Sequence, residues 1–172
     1  MSAEGYLKQT NVNAQVFPAR VVVVNFVALL YSVLAFFAVY LFLKPNAFGP
    51  IMLMTIPGLV ILFFFALGLA NLASVINLGF RDYAPIQSLI LQGLFYVTPI
   101  IYETKVVDAA GYSFVYLLNP FYYIIDVVRR PMQGLELPPL RNYFMAILIT
   151  AIVFVVSVIV LMKNKKKLIF KL

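Results

Sequence analysis

The sequence predicts an all-α membrane protein with four transmembrane helices plus a re-entrant helical hairpin. Three observations predict it. Hydrophobic residues make up 64% of the 172-residue chain and its mean hydropathy is +1.00, more apolar surface than one soluble core can bury. Uncharged intervals long enough to cross a bilayer recur along the chain. One further apolar stretch is short and is interrupted by Asn119-Pro120.

Charge-free intervals are the ruler for spans, because a Lys, Arg or Asp at a helix centre costs about 2.5–3.5 kcal/mol on insertion. Residues 1–20 are mostly polar and read as a cytoplasmic segment; they carry none of the features of a cleaved secretory leader. Between Arg20 and Lys44 lie 23 uncharged residues, enough for about 34 Å of helix, so the first span is 21–43. Lys44-Pro45-Asn46 and Gly49-Pro50 turn the chain into a second span, 51–78, expected to bend at Pro57-Gly58. The third span, 84–102, lies between Asp82 and Glu103 and is more polar than its neighbours, with Gln87, Ser88, Gln92, Thr98 and Pro99.

Residues 109–125 hold Gly111, Ser113 and the Asn119-Pro120 break. Irregular backbone survives at membrane depth only where protein or a water-filled cavity satisfies its polar groups. The stretch therefore reads as one arm of a re-entrant hairpin in an outer region, 103–141, and implies a cavity beside it. The fourth span is 142–162, rich in Val and Ile, followed by a tail, 163–172, that holds five of the thirteen cations. That tail belongs in the cytoplasm, which puts both termini inside, with eight cations inside against five outside. The chain is one domain without internal repeats.

Several function classes are excluded by residue type. With no Cys and no His there is no thiolate or imidazole ligand, no Cys nucleophile and no imidazole base. The six carboxylates are not spaced for paired acid–base work, and no G-x-x-x-x-G-K-[ST] loop is present to hold a nucleotide. The chain is thus read as non-catalytic, binding neither metal nor cofactor. The formal charge of +7 is explained by the membrane-flanking tail rather than by nucleic acid.

Candidate functional residues fall in four groups. Ala66, Ala70 and Ser74, with Gly68 and Asn71 nearby, form a small-residue stripe suited to close helix packing. Gln92, Tyr96, Pro99 and Glu103 fall at helical spacings on one face, which either borders a path or glues helices. Tyr96, Tyr102, Tyr112, Tyr116, Tyr122 and Tyr123 crowd toward the outer side. They fit an interfacial belt first, and second a path on which sugar rings stack and slide. Asp126, Arg129 and Arg130 form an outer charge cluster in which Asp126 can meet either arginine.

The ordered fragments Asn77-Leu78-Gly79-Phe80-Arg81-Asp82, Pro99-Ile100-Ile101-Tyr102, Leu118-Asn119-Pro120-Phe121, Arg129-Arg130 and Gly134 resemble the ABC-2 type permeases that export O-antigen, capsule and teichoic-acid polymers. Glu4-Gly5-Tyr6-Leu7-Lys8-Gln9-Thr10 and Phe17-Pro18-Ala19-Arg20 resemble the cytoplasmic loop before that family's third span. The resemblance implies half of a dimeric channel with six spans per subunit, so that an amphipathic N-terminal helix and two spans would precede this portion. It implies a multi-pass protein of the cell membrane that forms a homodimer. A separate ABC ATPase subunit would bind ATP and Mg. Glu4, Tyr6, Lys8, Arg81 and Asp82 would then face the ATPase, while Gln92 and the outer tyrosines would border the path of a polysaccharide or a lipid-linked or polyol-phosphate polymer. An exporter of small lipophilic compounds and a non-transporting membrane scaffold are the alternatives.

Overall fold

Deprived of water, a chain must satisfy its backbone polar groups internally, and every regular element among the described residues is helical. The computed structural model describes residues 16–45, 49–80, 82–100, 102, 104–134 and 136–171. Helix α1 is Val16–Leu43. A 3-10 turn, Pro50–Met54, leads into α2, Thr55–Gly79. Then follow α3 (Tyr83–Val97), α4 (Thr104–Ala109), α5 (Phe114–Leu117), α6 (Pro120–Gln133) and α7 (Leu140–Lys171). Three stretches are long and apolar enough to cross a membrane: Val16–Leu43, Pro50–Asn77 and Leu140–Asn164.

Helix α1 starts five residues before the expected span, because Phe17-Pro18 lies in its first turn, where Pro sacrifices no helical hydrogen bond. Asn25 and Ser32 donate back to the carbonyls of Val21 and Ala28, at 2.8 and 3.1 Å, and so bring no unmet donor to the apolar surroundings. The second span also differs from expectation. Its change of geometry falls at Met54–Thr55, where the 3-10 turn becomes α-helix, and Pro57 sits harmlessly in the first turn of α2. Helix α7 begins at Leu140 and continues through the Lys-rich segment to Lys171.

Contacts set the topology. Phe26 meets Phe63 edge-on at 4.9 Å, joining α1 to α2, and Phe64 meets Phe154 at 5.6 Å, joining α2 to α7. The α2–α7 seam is closest at Gly68, where a Cβ would lie 3.0 Å from Val153 and 3.2 Å from the Phe154 backbone. Of the small-residue stripe, Gly68 is therefore a packing position inside the subunit. Helix α6 runs antiparallel to α2. Gly58 abuts Val127, while Phe65, further along α2, meets Phe121, earlier in α6, at 5.4 Å. Phe65 lies about 15 Å along α2 from Thr55 at 1.5 Å per residue. The N-terminus of α6 is thus sunk to the middle of the apolar stretch Pro50–Asn77. Around it Phe65, Tyr116, Tyr122, Tyr123, Ile124, Val127 and Ala146 form the core.

Local sequence explains how α6 fits there. Asn119 caps it, accepting from Phe121 N at 3.0 Å, Pro120 occupies the first turn, and Gly134 ends it at φ 67° with its N–H on Pro131 O at 3.0 Å. Pro131 has no N–H to give to Val127 O, four residues earlier. Gly58, without a side chain, lets α2 come directly against that carbonyl.

Candidate functional site

The expected third span is where structure and expectation diverge most. Helix α3 has 15 residues, about 22 Å, and ends at Val97 rather than continuing to 102. Thr98 adopts extended backbone, and Thr98–Ile100 form a bend. The reason is Thr98-Pro99: proline excludes helical geometry at the residue before it and has no N–H for the preceding turn. Two consequences follow for the expected site. Gln92 and Tyr96 share a helix, but Pro99 lies beyond its end, so the four-residue face does not form; Glu103 lies outside the described residues.

The broken end is held by α6. The Thr98 hydroxyl donates to Leu94 O at 2.6 Å and accepts from Asn119 Nδ2 at 2.7 Å. Arg129 Nη1 donates to Pro99 O at 2.9 Å. Thr98, Pro99 and Asn119 are buried, so these bonds satisfy polar groups that would otherwise be stranded away from water. The C-terminus of α3 and the N-terminus of α6 thus meet at one level, with α4 and α5 an excursion between them. Discontinuous helices meeting at mid-depth are a recurrent way to build a binding site within a membrane.

A cavity of about 450 Å³ opens beside this junction, bordered by Thr98, Thr104, Tyr122, Asp126, Arg129 and Glu136 among others. Its charged wall is ordered. Asp126, buried, accepts from Arg130 Nε and from Asn142 Nδ2, each at 2.7 Å, and Arg130 also lies 3.8 Å from Glu136. Asp126 therefore pairs with Arg130 and not with Arg129. Two donors fix the buried Asp126 carboxyl in place, while Arg129 is left to the helix break.

The tyrosines separate into two sets. Tyr116 and Tyr123 are packed in the core; Tyr123 donates to Leu117 O at 2.8 Å. Tyr122 is also buried but borders the cavity. Tyr96 is 65% exposed and Tyr112 59% exposed, and Gln92 is exposed on α3. Tyr102 donates to the carbonyls of Tyr96 and Val97 at 3.2 and 3.1 Å, covering acceptors left free at the end of α3. Beyond the cavity, Asp108 Oδ1 accepts from both Ser113 and Tyr116 at 2.6 Å. These bonds, that from Ser113 foremost, hold the Asp108 carboxyl below its ordinary value. The same carboxylate pushes the Tyr116 phenol up to about 12.

Of the residues expected to face an ATPase, Asp82 precedes α3 and makes no side-chain cap; Glu4, Tyr6, Lys8 and Arg81 lie outside the described residues. Sequence reasoning passed over Thr98, Asn119 as a clamp, and Asn142. Thr-Pro inside an apolar run and Asn-Pro before an amphipathic one were the available signals. The pairing of Asn142 with Asp126 had none.

A family model described as ABC-2 type transporter matches residues 12–133, which takes in α1 to α6. No curated protein and no solved structure matched the chain.

Proposed function

Because this chain belongs to the ABC-2 type transporter family, we propose that it is the permease subunit of an ATP-driven exporter of polysaccharide or of a lipid-linked or polyol-phosphate polymer. Membrane subunits of this family normally work with an ABC ATPase, and the ABC-2 domain is a transport component rather than a catalytic one. The observation that carries the reading is the junction of α3 with α6. A helix stops halfway, its end is held by three side-chain hydrogen bonds, and a polar cavity lies alongside. A movement of α3 against α6 breaks few bonds there and changes the cavity directly, which suits a route opened by work done elsewhere.

In this proposal the membrane is the cell membrane, both termini are cytoplasmic, and the cavity faces outward. Two copies form the channel. Residues 1–20 with Arg81 and Asp82 meet the ATPase, which holds ATP and Mg. The exposed rings of Tyr96 and Tyr112, with Gln92, border the route; sugar faces stack on such rings through weak, undirected contacts that permit sliding.

The test has two arms. Affinity purification in mild detergent is expected to recover a P-loop ATPase with the chain, and a well-folded preparation that never does so contradicts the proposal. In cells that depend on the transporter, Tyr96→Ala is expected to reduce surface glycan several-fold at unchanged protein level. Retained glycan with lost efflux of lipophilic dyes supports small-compound export instead, and retention of both supports a scaffold.

A further inference from the structure

We propose that α6 carries a binding site for an anionic phospholipid, with the phosphate on Arg129 and an acyl chain in the groove between α1, α2 and α6. This inference goes beyond the export reading and requires only that the chain lie in a membrane.

The groove, about 230 Å³, is walled by Phe36 of α1, Leu62 of α2 and Ile124, Val128 and Met132 of α6. Arg129 and Gln133 stand at its edge, and the same two residues border the polar cavity on the other side of α6. Arg129 therefore borders both an apolar slot and a polar space, with its guanidinium bonded to Pro99 O of the polar cavity's wall. Two of its lining residues are tied to Tyr40, whose hydroxyl donates to Gln133 O at 2.8 Å and whose ring stacks on Phe36 at 5.4 Å.

Charge argues for an anion. Arg130 takes up both carboxylates of the cavity wall, whereas no carboxylate among the described residues pairs with Arg129. Asp126 is engaged by Arg130 on one oxygen and Asn142 on the other, and Glu136 is exposed, so that water screens its field. Arg129 spends one of its five N–H donors on Pro99 O and retains a planar fork suited to phosphate.

Depth argues for a lipid rather than a free anion. Since Val127 lies against Gly58 and α6 runs antiparallel to α2, Arg129 stands level with the first turn of α2, near the end of the apolar stretch. The slot runs inward from there past Ile124 and Leu62, deeper in the stretch. A charge at interfacial level with an apolar channel leading inward matches a phosphate headgroup and its chain.

The test uses the full chain in mild detergent, offered mixed micelles of phosphatidylglycerol or phosphatidylcholine with identical acyl chains, the retained lipid being counted by native mass spectrometry. Phosphatidylglycerol should be retained about tenfold over phosphatidylcholine, whose choline cation offsets the charge of the same phosphate beside Arg129. Arg129→Gln should abolish the preference and Arg129→Lys should keep part of it. Because Arg129 also holds Pro99, Met132→Trp is the independent arm; it fills the slot, leaves that bond in place, and should lower retention of phosphatidylglycerol by a similar factor. Equal retention of the two lipids overturns the proposal. So does full retention by Met132→Trp, or displacement of the lipid by inorganic phosphate at millimolar concentration, which marks a free-anion site.

Discussion

Gly58 offers the most direct test of how α6 is held in the bundle. A Cβ at this position would lie 2.5 Å from Val127 O, 3.0 Å from its carbonyl carbon and 3.1 Å from Val128 Cγ2. The first two are backbone atoms of a helix packed in the core, with Val127 0% exposed, so no rotamer change relieves the overlap. Either α6 moves outward or α2 bends. Overpacking of this kind costs roughly 1–3 kcal/mol, and the upper end applies because backbone must shift. Alanine returns about 1 kcal/mol as the better helix former, leaving a net loss of about 2 kcal/mol. For a chain of this size that corresponds to roughly 4–8 °C in melting temperature. Gly93 is the internal control. It sits within α3, and a Cβ there would meet nothing within 4 Å, so Gly93→Ala should gain roughly 0.5–1 kcal/mol and melt a few degrees higher. The assay is thermal unfolding in mild detergent, followed by circular dichroism and by loss of the monodisperse peak after heating. If Gly58→Ala melts at or above the parent, the close α2–α6 approach is not what seats α6, and the depth assigned to Asn119 loses its support.

Other outcomes follow from the same geometry. Asp126→Ala leaves Arg130 and Asn142 without their buried acceptor and should cost roughly 3–5 kcal/mol, the penalty for breaking one side of a buried pair, read as a lower melting temperature; Asp126→Asn should cost less. Asn119→Ala removes both the cap of α6 and the donor to Thr98, so it should destabilise by about 1–2 kcal/mol and speed hydrogen exchange at Phe121 before exchange elsewhere in α6. Asp108 has a depressed folded pKa, so its bonds with Ser113 and Tyr116 are fully present above its ordinary value of 3.8 and are lost as pH falls through the lower folded one. Tyr116 has a raised pKa, so its contribution is complete below 10.0 and disappears as pH rises through about 12; the difference in tyrosinate absorbance between the parent and Tyr116→Phe should show one phenol ionising in that range.

How far the site was legible can be judged residue by residue. Asn119-Pro120 was readable as a break because both residues act locally: one accepts from the first turn, the other lacks an N–H and presets φ. Thr98-Pro99 carried the same kind of signal, but it lay in a charge-free run long enough to span, and length outweighed it. The partner of Asp126 was ambiguous at helical spacing, since positions three and four residues on are both in reach; Arg130 wins because Arg129 points to Pro99. Tyrosine crowding gave no means of telling buried rings from exposed ones. Tyr116 and Tyr123 enter the core through the packing of α6 against both α2 and α7.

What the sequence determined by itself was the solvent, the class and the approximate places where apolar helices run, because the cost of a charge or an unmet backbone group in hydrocarbon is local and large. It also determined which chemistries are absent, since no arrangement supplies an imidazole or thiol the chain lacks. Only the tertiary structure decided that the N-terminus of α6 meets the end of α3 and that Arg129 borders both a polar cavity and an apolar groove. Those facts depend on contacts between residues 20 or more positions apart, such as Asn119 with Thr98 and Arg129 with Pro99. Periodicity along one segment carries no information about which other segment will be its neighbour.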